Sequence, residues 1–150
     1  MKRIFVAIIA ALIFIPLQET NACTSAIITG KATPDGRPLL WKHRDTGTLD
    51  NRIEYFDKSK DRSIKYAFIA LVDSPKETKE AWIGTNEVGF SIMNTASYNL
   101  NDEESPIQDQ EGVVMYNALA TCRTLADFEK MLSKMKFPTG VEANFGVIDA

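Results

Sequence analysis

The sequence predicts an α+β domain, and three observations support that class. Short β-rich segments fill much of the chain, and two pairs of them flank turn sequences typical of hairpins. Apolar residues then recur at helical spacing between residues 113 and 135. A further strand is predicted over residues 144–149. Strands, then helices, then a strand are typical of helices that cover an antiparallel sheet.

An export leader precedes the predicted domain. Residues 1–3 are basic, residues 4–17 form a continuous apolar run, and Thr20 and Ala22 occupy the small-residue positions of a cleavage site. Cutting after Ala22 makes Cys23 the first residue of the mature chain, with a thiol and a free α-amine on one residue. We therefore expect residues 1–22 to be a signal peptide and residues 23–150 to be periplasmic or secreted.

Two other roles for Cys23 remain open. Bacterial lipoproteins also begin at a cysteine after a leader, although they usually have Leu three places earlier, where this chain has Thr20. An exported chain also permits a disulfide between Cys23 and Cys122. Membrane contact is expected only through the leader or through lipidation of this cysteine.

The composition excludes several function classes. The 150 residues include 17 Lys and Arg against 20 Asp and Glu, which gives a net charge of −3, and no basic stripe indicates a nucleic-acid partner. Two cysteines and one histidine argue against a structural zinc site, and we expect no cofactor. The length suits one compact domain.

Turn chemistry organises the predicted strands, which cover residues 24–29, 39–45, 52–56, 66–72, 80–85, 89–94 and 144–149. The first two flank a turn with the sequence PDG at residues 34–36, and the fifth and sixth flank residues 86–88. The first hairpin is expected to bring Asp45 back toward Cys23, because both lie at the end of the ribbon away from the turn.

The remaining segments are a loop and two helices. Residues 97–112 are polar and predict an exposed loop, with a lid over a pocket as one interpretation. Residues 113–122 predict a helix that buries Cys122. Thr124 predicts the N-cap of a second helix, with Asp127 three places on as an imperfect capping box, and Pro138 and Gly140 end that helix.

Several stretches together carry a resemblance to a known family. They are CTS at residues 23–25, PDG at 34–36, LLWKHRD at 39–45, WIGTNEVGF at 82–90 and NFGVIDA at 144–150. These resemble the N-terminal-nucleophile (Ntn) amide hydrolases, a group with choloylglycine hydrolases, penicillin V acylases and acyl-coenzyme A:aminopenicillanate acyltransferases. The resemblance implies an αββα sandwich, two antiparallel sheets between helical layers. Family members are about twice as long, so we expect this chain to be the first part of such a domain.

The resemblance also implies a catalytic set. Cys23 is the nucleophile, and Asp45 holds its α-amine, although a turn carboxylate explains Asp45 equally well. Lys42 stands where relatives often carry arginine, as a cation beside the thiol or simply as a solvated strand lysine. Asn94 ends a predicted strand near the family's oxyanion region, with a turn-forming asparagine as the simpler explanation. A further asparagine and a late arginine of the family would lie beyond Ala150.

Four more residues are candidates for substrate binding. Trp82, Phe90 and Met93 are expected to line an acyl pocket, although core packing explains them as well. Arg44 shares the side of the strand that carries Lys42, with a solvent-facing position as the alternative. The single histidine, His43, is expected to pack beside the nearby aspartate rather than to form a dyad with the cysteine.

The function predicted from these residues is an exported cysteine amidohydrolase. It cleaves linear C–N amide bonds of N-acyl substrates, such as bile-salt, penicillin or fatty-acyl amides, through an acyl-enzyme on Cys23. Two alternatives remain open: a non-catalytic lipoprotein or binding domain, and an amide-forming acyltransferase. The expected partner is a small-molecule N-acyl amide, and the sequence leaves homo-oligomer formation open.

Overall fold

The protein is an α+β domain, as the sequence predicts. The computed structural model describes residues 23–74, 79–97 and 106–150. The expected leader and half of the predicted loop at 97–112, residues 98–105, lie outside the described residues, and with them the interpretation of that loop as a lid. The elements are β1 (Thr24–Ile28), β2 (Leu39–His43), β3 (Asn51–Phe56), β4 (Phe68–Asp73), β5 (Ile83–Asn86), β6 (Ser91–Ala96), α1 (Glu111–Thr121), α2 (Leu125–Leu132) and β7 (Ala143–Ile148).

Two antiparallel sheets hold the strands. β1 and β2 form a two-stranded ribbon in which Thr24 pairs with His43 and Ile28 pairs with Leu39, which confirms the first predicted hairpin. The other strands form one sheet in the order β3-β4-β5-β6-β7, with every neighbouring pair antiparallel. The second predicted hairpin is confirmed as β5–β6, and the strand predicted at 144–149 is β7.

Several predicted boundaries are wrong by a few residues, and hydrogen bonds to α1 explain two of them. The strand predicted from residue 66 begins at Phe68, because the N–H groups of Lys65 and Tyr66 donate to Ala120 O of the helix. The strand predicted from residue 80 begins at Ile83, because the N–H of Ala81 donates to the first turn of α1 instead. β2 ends at His43 rather than Asp45, and α1 begins two residues earlier than predicted.

The described elements lie in three layers, with the five-stranded sheet in the middle. The ribbon covers one face, where Met93 and Ile27 both lie against Gly146; a Cβ there would come within 2.9 Å of Met93 Cε. Helix α1 covers the other face, where a Cβ on Gly84 would come within 2.7 Å of Leu119 Cδ1. Both glycines permit a close approach that any larger residue would block.

The hydrophobic core lies between the sheet and the two helices. Strand β4 shows why, because Phe68, Ala70 and Val72 are buried while Ile69 between them is exposed. Its alternating side chains therefore face the helices and the ribbon side in turn. The largest fully buried side chains are Phe68, Phe90, Ile92, Met115, Leu119 and Val72.

The buried Asn86 joins the β5–β6 turn to the end of α1. Its side-chain oxygen accepts the N–H groups of Val88 and Phe90 at 3.2 and 3.0 Å. Its amide nitrogen donates to Leu119 O and Cys122 O at 3.0 and 2.8 Å. The last carbonyls of a helix have no partner within it, so this amide satisfies two groups that the core would otherwise leave unpaired.

The predicted start of the second helix is confirmed. Thr124 Oγ1 accepts the N–H of Asp127 at 3.2 Å, and the Asp127 carboxylate accepts the N–H of Thr124 at 3.1 Å. Aspartate thus closes a complete capping box at a position where glutamate or glutamine is usual.

Candidate active site

The ribbon places Cys23 beside Asp45, as the hairpin predicts. Thr24 pairs with His43, and Cys23 lies one residue before Thr24 while Asp45 lies two residues after His43. The Cys23 thiol donates to the main-chain oxygen of Asp45 at 3.7 Å. The partly buried thiol therefore lies at the end of the ribbon away from its turn.

Lys42 points inward from β2 rather than into solvent. Its ammonium donates to Trp82 O at 3.1 Å and to Asn94 Oδ1 at 2.5 Å. Burial lowers the pKa of Lys42 to about 8, and the charge of the neighbouring Cys23 opposes that shift. The solvated strand lysine considered from the sequence is therefore wrong, because this side chain spans from the ribbon to the sheet.

Asn94 is the residue on the sheet that receives Lys42. Asn94 is 5% exposed and lies within β6, which continues to Ala96. It pairs there with Phe145 of β7. The turn-forming asparagine considered from the sequence is therefore wrong, because Asn94 lies within the strand. Since the amide oxygen accepts from Lys42, the NH₂ group is the part of this side chain that is able to donate to another acceptor.

Arg44 is mostly buried, so the solvent-facing position considered for it is wrong. Its Nη1 donates to Asp73 Oδ1 at 2.6 Å and to Asn51 Oδ1, and its Nη2 donates to Asp73 Oδ2 at 3.4 Å. The guanidinium carbon lies 4.6 Å from the centre of the Trp82 ring. Arg44 thus joins the end of β2 to the end of β4 and to the start of β5.

The other predicted substrate-binding residues lie in different places. Trp82 is partly buried and contacts two residues of the site: its main-chain oxygen accepts from Lys42, and its ring lies against the Arg44 guanidinium. Met93 lies between the ribbon and the sheet. Phe90 is fully buried in the core on the helix side, with its ring 6.2 Å from that of Phe128. The structure does not bring Phe90 to Cys23, because Phe90 adjoins the β5–β6 turn at the opposite end of the sheet.

The histidine and the second cysteine are both apart from this group. His43 lies on the exposed face of the ribbon, because side chains alternate along β2 and Lys42 takes the inner face. Cys122 is buried, as the sequence predicts, but it is the C-cap of α1 rather than its last helical residue, and burial raises its pKa. Both cysteines are free thiols, so the disulfide considered between them is not formed.

Sequence reasoning missed two residues of the site. Asp73, predicted to begin a loop, is the buried partner of Arg44. An aspartate directly after the apolar strand 66–72 is a usable signal, because a carboxylate buried there requires a cation. The second is Ser25, which pairs with Lys42 in the ribbon. The Ser25 hydroxyl and the indole N–H of Trp82 are both buried, and neither has a hydrogen-bond partner among the described residues.

A groove lies on the ribbon side of the sheet and extends to the turn end of the ribbon, where Arg37 and Leu39 line it. It has a volume of about 530 Å³, and its lining is mainly aliphatic, with Leu40, Ile69 and Ile83 among the walls. Cys23, Lys42 and Trp82 are not among the residues that line this groove. The hydroxyls of Ser91 and Thr85 in the groove bond to each other at 2.8 Å.

Within the described ranges no three His, Cys, Asp or Glu side chains are grouped as metal ligands. No described helix combines the length and apolarity needed to cross a bilayer. Comparison with known proteins finds no matching family model, no matching curated protein and no matching solved structure.

Proposed function

We propose that the protein is an exported cysteine amidohydrolase of the Ntn type, with Cys23 as its nucleophile. The observation that carries the proposal is the placement of Cys23 beside Asp45 and the partly buried ammonium of Lys42. An amide hydrolase that uses cysteine needs a reactive sulfur, a proton carrier and donors for the oxyanion. One end of the ribbon has candidates for all three.

The α-amine of the processed Cys23 is the proposed proton carrier. Thiols and α-amines have ordinary pKa values of about 8.5 and about 8, so a proton passes between them at little cost. The amine takes the thiol proton as sulfur attacks the acyl carbon, and it returns the proton to the nitrogen of the leaving amine when the C–N bond breaks. Water then hydrolyses the thioester and regenerates the thiol.

Lys42 and Asn94 are the proposed electrostatic partners of this chemistry. A cation next to the sulfur attracts negative charge on it. The Lys42 ammonium is held by two oxygen acceptors, so its position is fixed before substrate binds. The NH₂ group of Asn94 is the proposed donor to the oxyanion of the tetrahedral intermediate, because its oxygen is already bonded to Lys42.

The layer order supports the same assignment. A ribbon, a five-stranded sheet and a helical layer correspond to three consecutive layers of an αββα sandwich. We propose that the domain is the N-terminal part of such a sandwich and that residues 1–22 are removed on export. The proposed substrate is a small-molecule N-acyl amide.

The test is a pair of cysteine variants in the exported protein. Cys23→Ala should abolish turnover of a panel of N-acyl amides, whereas Cys122→Ala should retain it, because Cys122 is buried at the end of α1. Intact mass should show a mature chain that begins at Cys23 with a free amine. An added diacylglyceryl mass, or turnover unchanged in Cys23→Ala, would refute the proposal, and the added mass would favour a lipoprotein.

A further inference from the structure

Arg44 and Asp73 form the most buried ion pair among the described residues. Their side chains are 12% and 11% exposed, and two nitrogens of Arg44 face the two oxygens of Asp73. Each ion compensates the charge of the other, since either alone would be buried without a partner. The pair fixes the end of β2, which carries Lys42, to the end of β4.

The same guanidinium also holds Trp82. Its carbon lies 4.6 Å from the centre of the indole ring, within the range of a cation–π contact. The main-chain oxygen of Trp82 in turn accepts a hydrogen bond from Lys42 at 3.1 Å. A continuous series of contacts therefore runs from Asp73 through Arg44 and Trp82 to the ammonium beside Cys23.

We propose that Arg44, with Asp73, is a positioning residue that fixes Lys42 beside Cys23 and does not bind substrate. Its charge is compensated by Asp73, one edge of its guanidinium is bonded to Asp73 and Asn51, and its face covers Trp82. The catalytic part of this inference rests on the proposed amidohydrolase function. The geometric part, that Arg44 sets the position of Lys42, does not.

The first test replaces the pair by apolar residues in the exported protein. The double variant Arg44→Met/Asp73→Leu leaves neither ion of the pair buried without its partner, so it should fold, with an unfolding midpoint close to that of wild type. Loss of the stacked guanidinium frees Trp82, so kcat should fall by about tenfold to a hundredfold while KM changes by less than about twofold. Wild-type kcat in the folded double variant would overturn the proposal, and so would an effect confined to KM.

A conservative variant keeps the test decisive if the double variant does not fold. Arg44→Lys retains the charge but lacks the planar group that both stacks on Trp82 and pairs with two oxygens. Its kcat should fall by about threefold to tenfold, between wild type and the double variant. An unchanged kcat in Arg44→Lys would also overturn the proposal. Lys58→Met, which removes an exposed ion pair with Glu87, should change nothing and is the matched control.

A second readout does not depend on turnover. In a Cys122→Ala background, iodoacetamide reacts at Cys23 alone, and its rate at pH 7 reports the cation held beside the sulfur. The rate should fall by about threefold or more in Arg44→Lys and stay unchanged in Lys58→Met. An equal rate in Arg44→Lys and wild type would refute the positioning role. If wild type turns over no N-acyl amide, the proposed function fails while this measurement still decides the role of Arg44.

Discussion

The side chain of Asn86 offers the most direct test of how this fold is held together. It makes four hydrogen bonds, two accepted from the β5–β6 turn and two donated to carbonyls at the end of α1. The residue is 6% exposed, so water has little access to the groups that it pairs. Asn86→Ala removes all four bonds and leaves their partners in the core.

The expected loss of stability follows from those four bonds. A buried hydrogen bond contributes about 1 kcal/mol net, and a buried group left unpaired costs about 1–3 kcal/mol. We expect the variant to lose roughly 4 kcal/mol of unfolding free energy, because several bonds share one side chain and do not add fully. For a domain of this size that loss lowers Tm by roughly 10–20 °C.

Urea unfolding followed by circular dichroism measures this loss of unfolding free energy. Asn86→Asp is the comparison variant, and Asn117→Ala is the control. The carboxylate of Asn86→Asp keeps the two accepted bonds but faces two carbonyl oxygens, so its loss at pH 7 should be at least as large as that of Asn86→Ala. Asn117 is exposed on α1, and its replacement should change stability by less than about 1 kcal/mol. A loss below about 1 kcal/mol for Asn86→Ala would refute the reasoning.

Two further predictions concern stability. Because burial lowers the pKa of Lys42 to about 8, the unfolded chain binds more protons between pH 8 and the ordinary lysine value near 10.5. The free energy of unfolding of wild type should therefore rise by roughly 2 kcal/mol relative to that of Lys42→Met as pH rises through that window, after allowance for the partial exposure of Lys42. Below pH 8 the difference between the two proteins should not change with pH. Unfolding free energies that run parallel for the two proteins across the whole pH range would contradict this. Thr124→Ala breaks the capping box, so urea unfolding should show that it loses about 1 kcal/mol of unfolding free energy. Ser133 is exposed, and a loss in Thr124→Ala no larger than that in Ser133→Ala would contradict this prediction.

Local sequence signals predicted most of the fold because they depend on neighbouring residues. The turn at 34–36 fixes a hairpin, and through it the proximity of Cys23 to Asp45, because pairing along a ribbon follows from its turn. The start of α2 was predicted from Thr124 and Asp127 for the same reason. These interactions span only a few residues or one turn, so composition and spacing are sufficient.

The errors share a different cause, which is contact between segments far apart in sequence. Strand β4 starts late because Lys65 and Tyr66 bond to Ala120, more than fifty residues away. Arg44 is buried because β4 ends beside β2 and supplies Asp73. No pattern within either segment encodes such a pairing, since it depends on how the ribbon lies over the sheet.

The position of Lys42 is the strongest argument that this end of the ribbon has a function. Burial lowers its pKa to about 8, so the folded protein bears an electrostatic penalty for its charge at neutral pH. An apolar residue there would cover the sheet without that penalty, as Leu40 does two positions earlier on the same face of β2. The anchors on Trp82 and Asn94 compensate part of the loss and also fix the ammonium in place. A partly buried cation that is held by two oxygen acceptors next to a partly exposed thiol supports the proposal that Cys23 is a nucleophile.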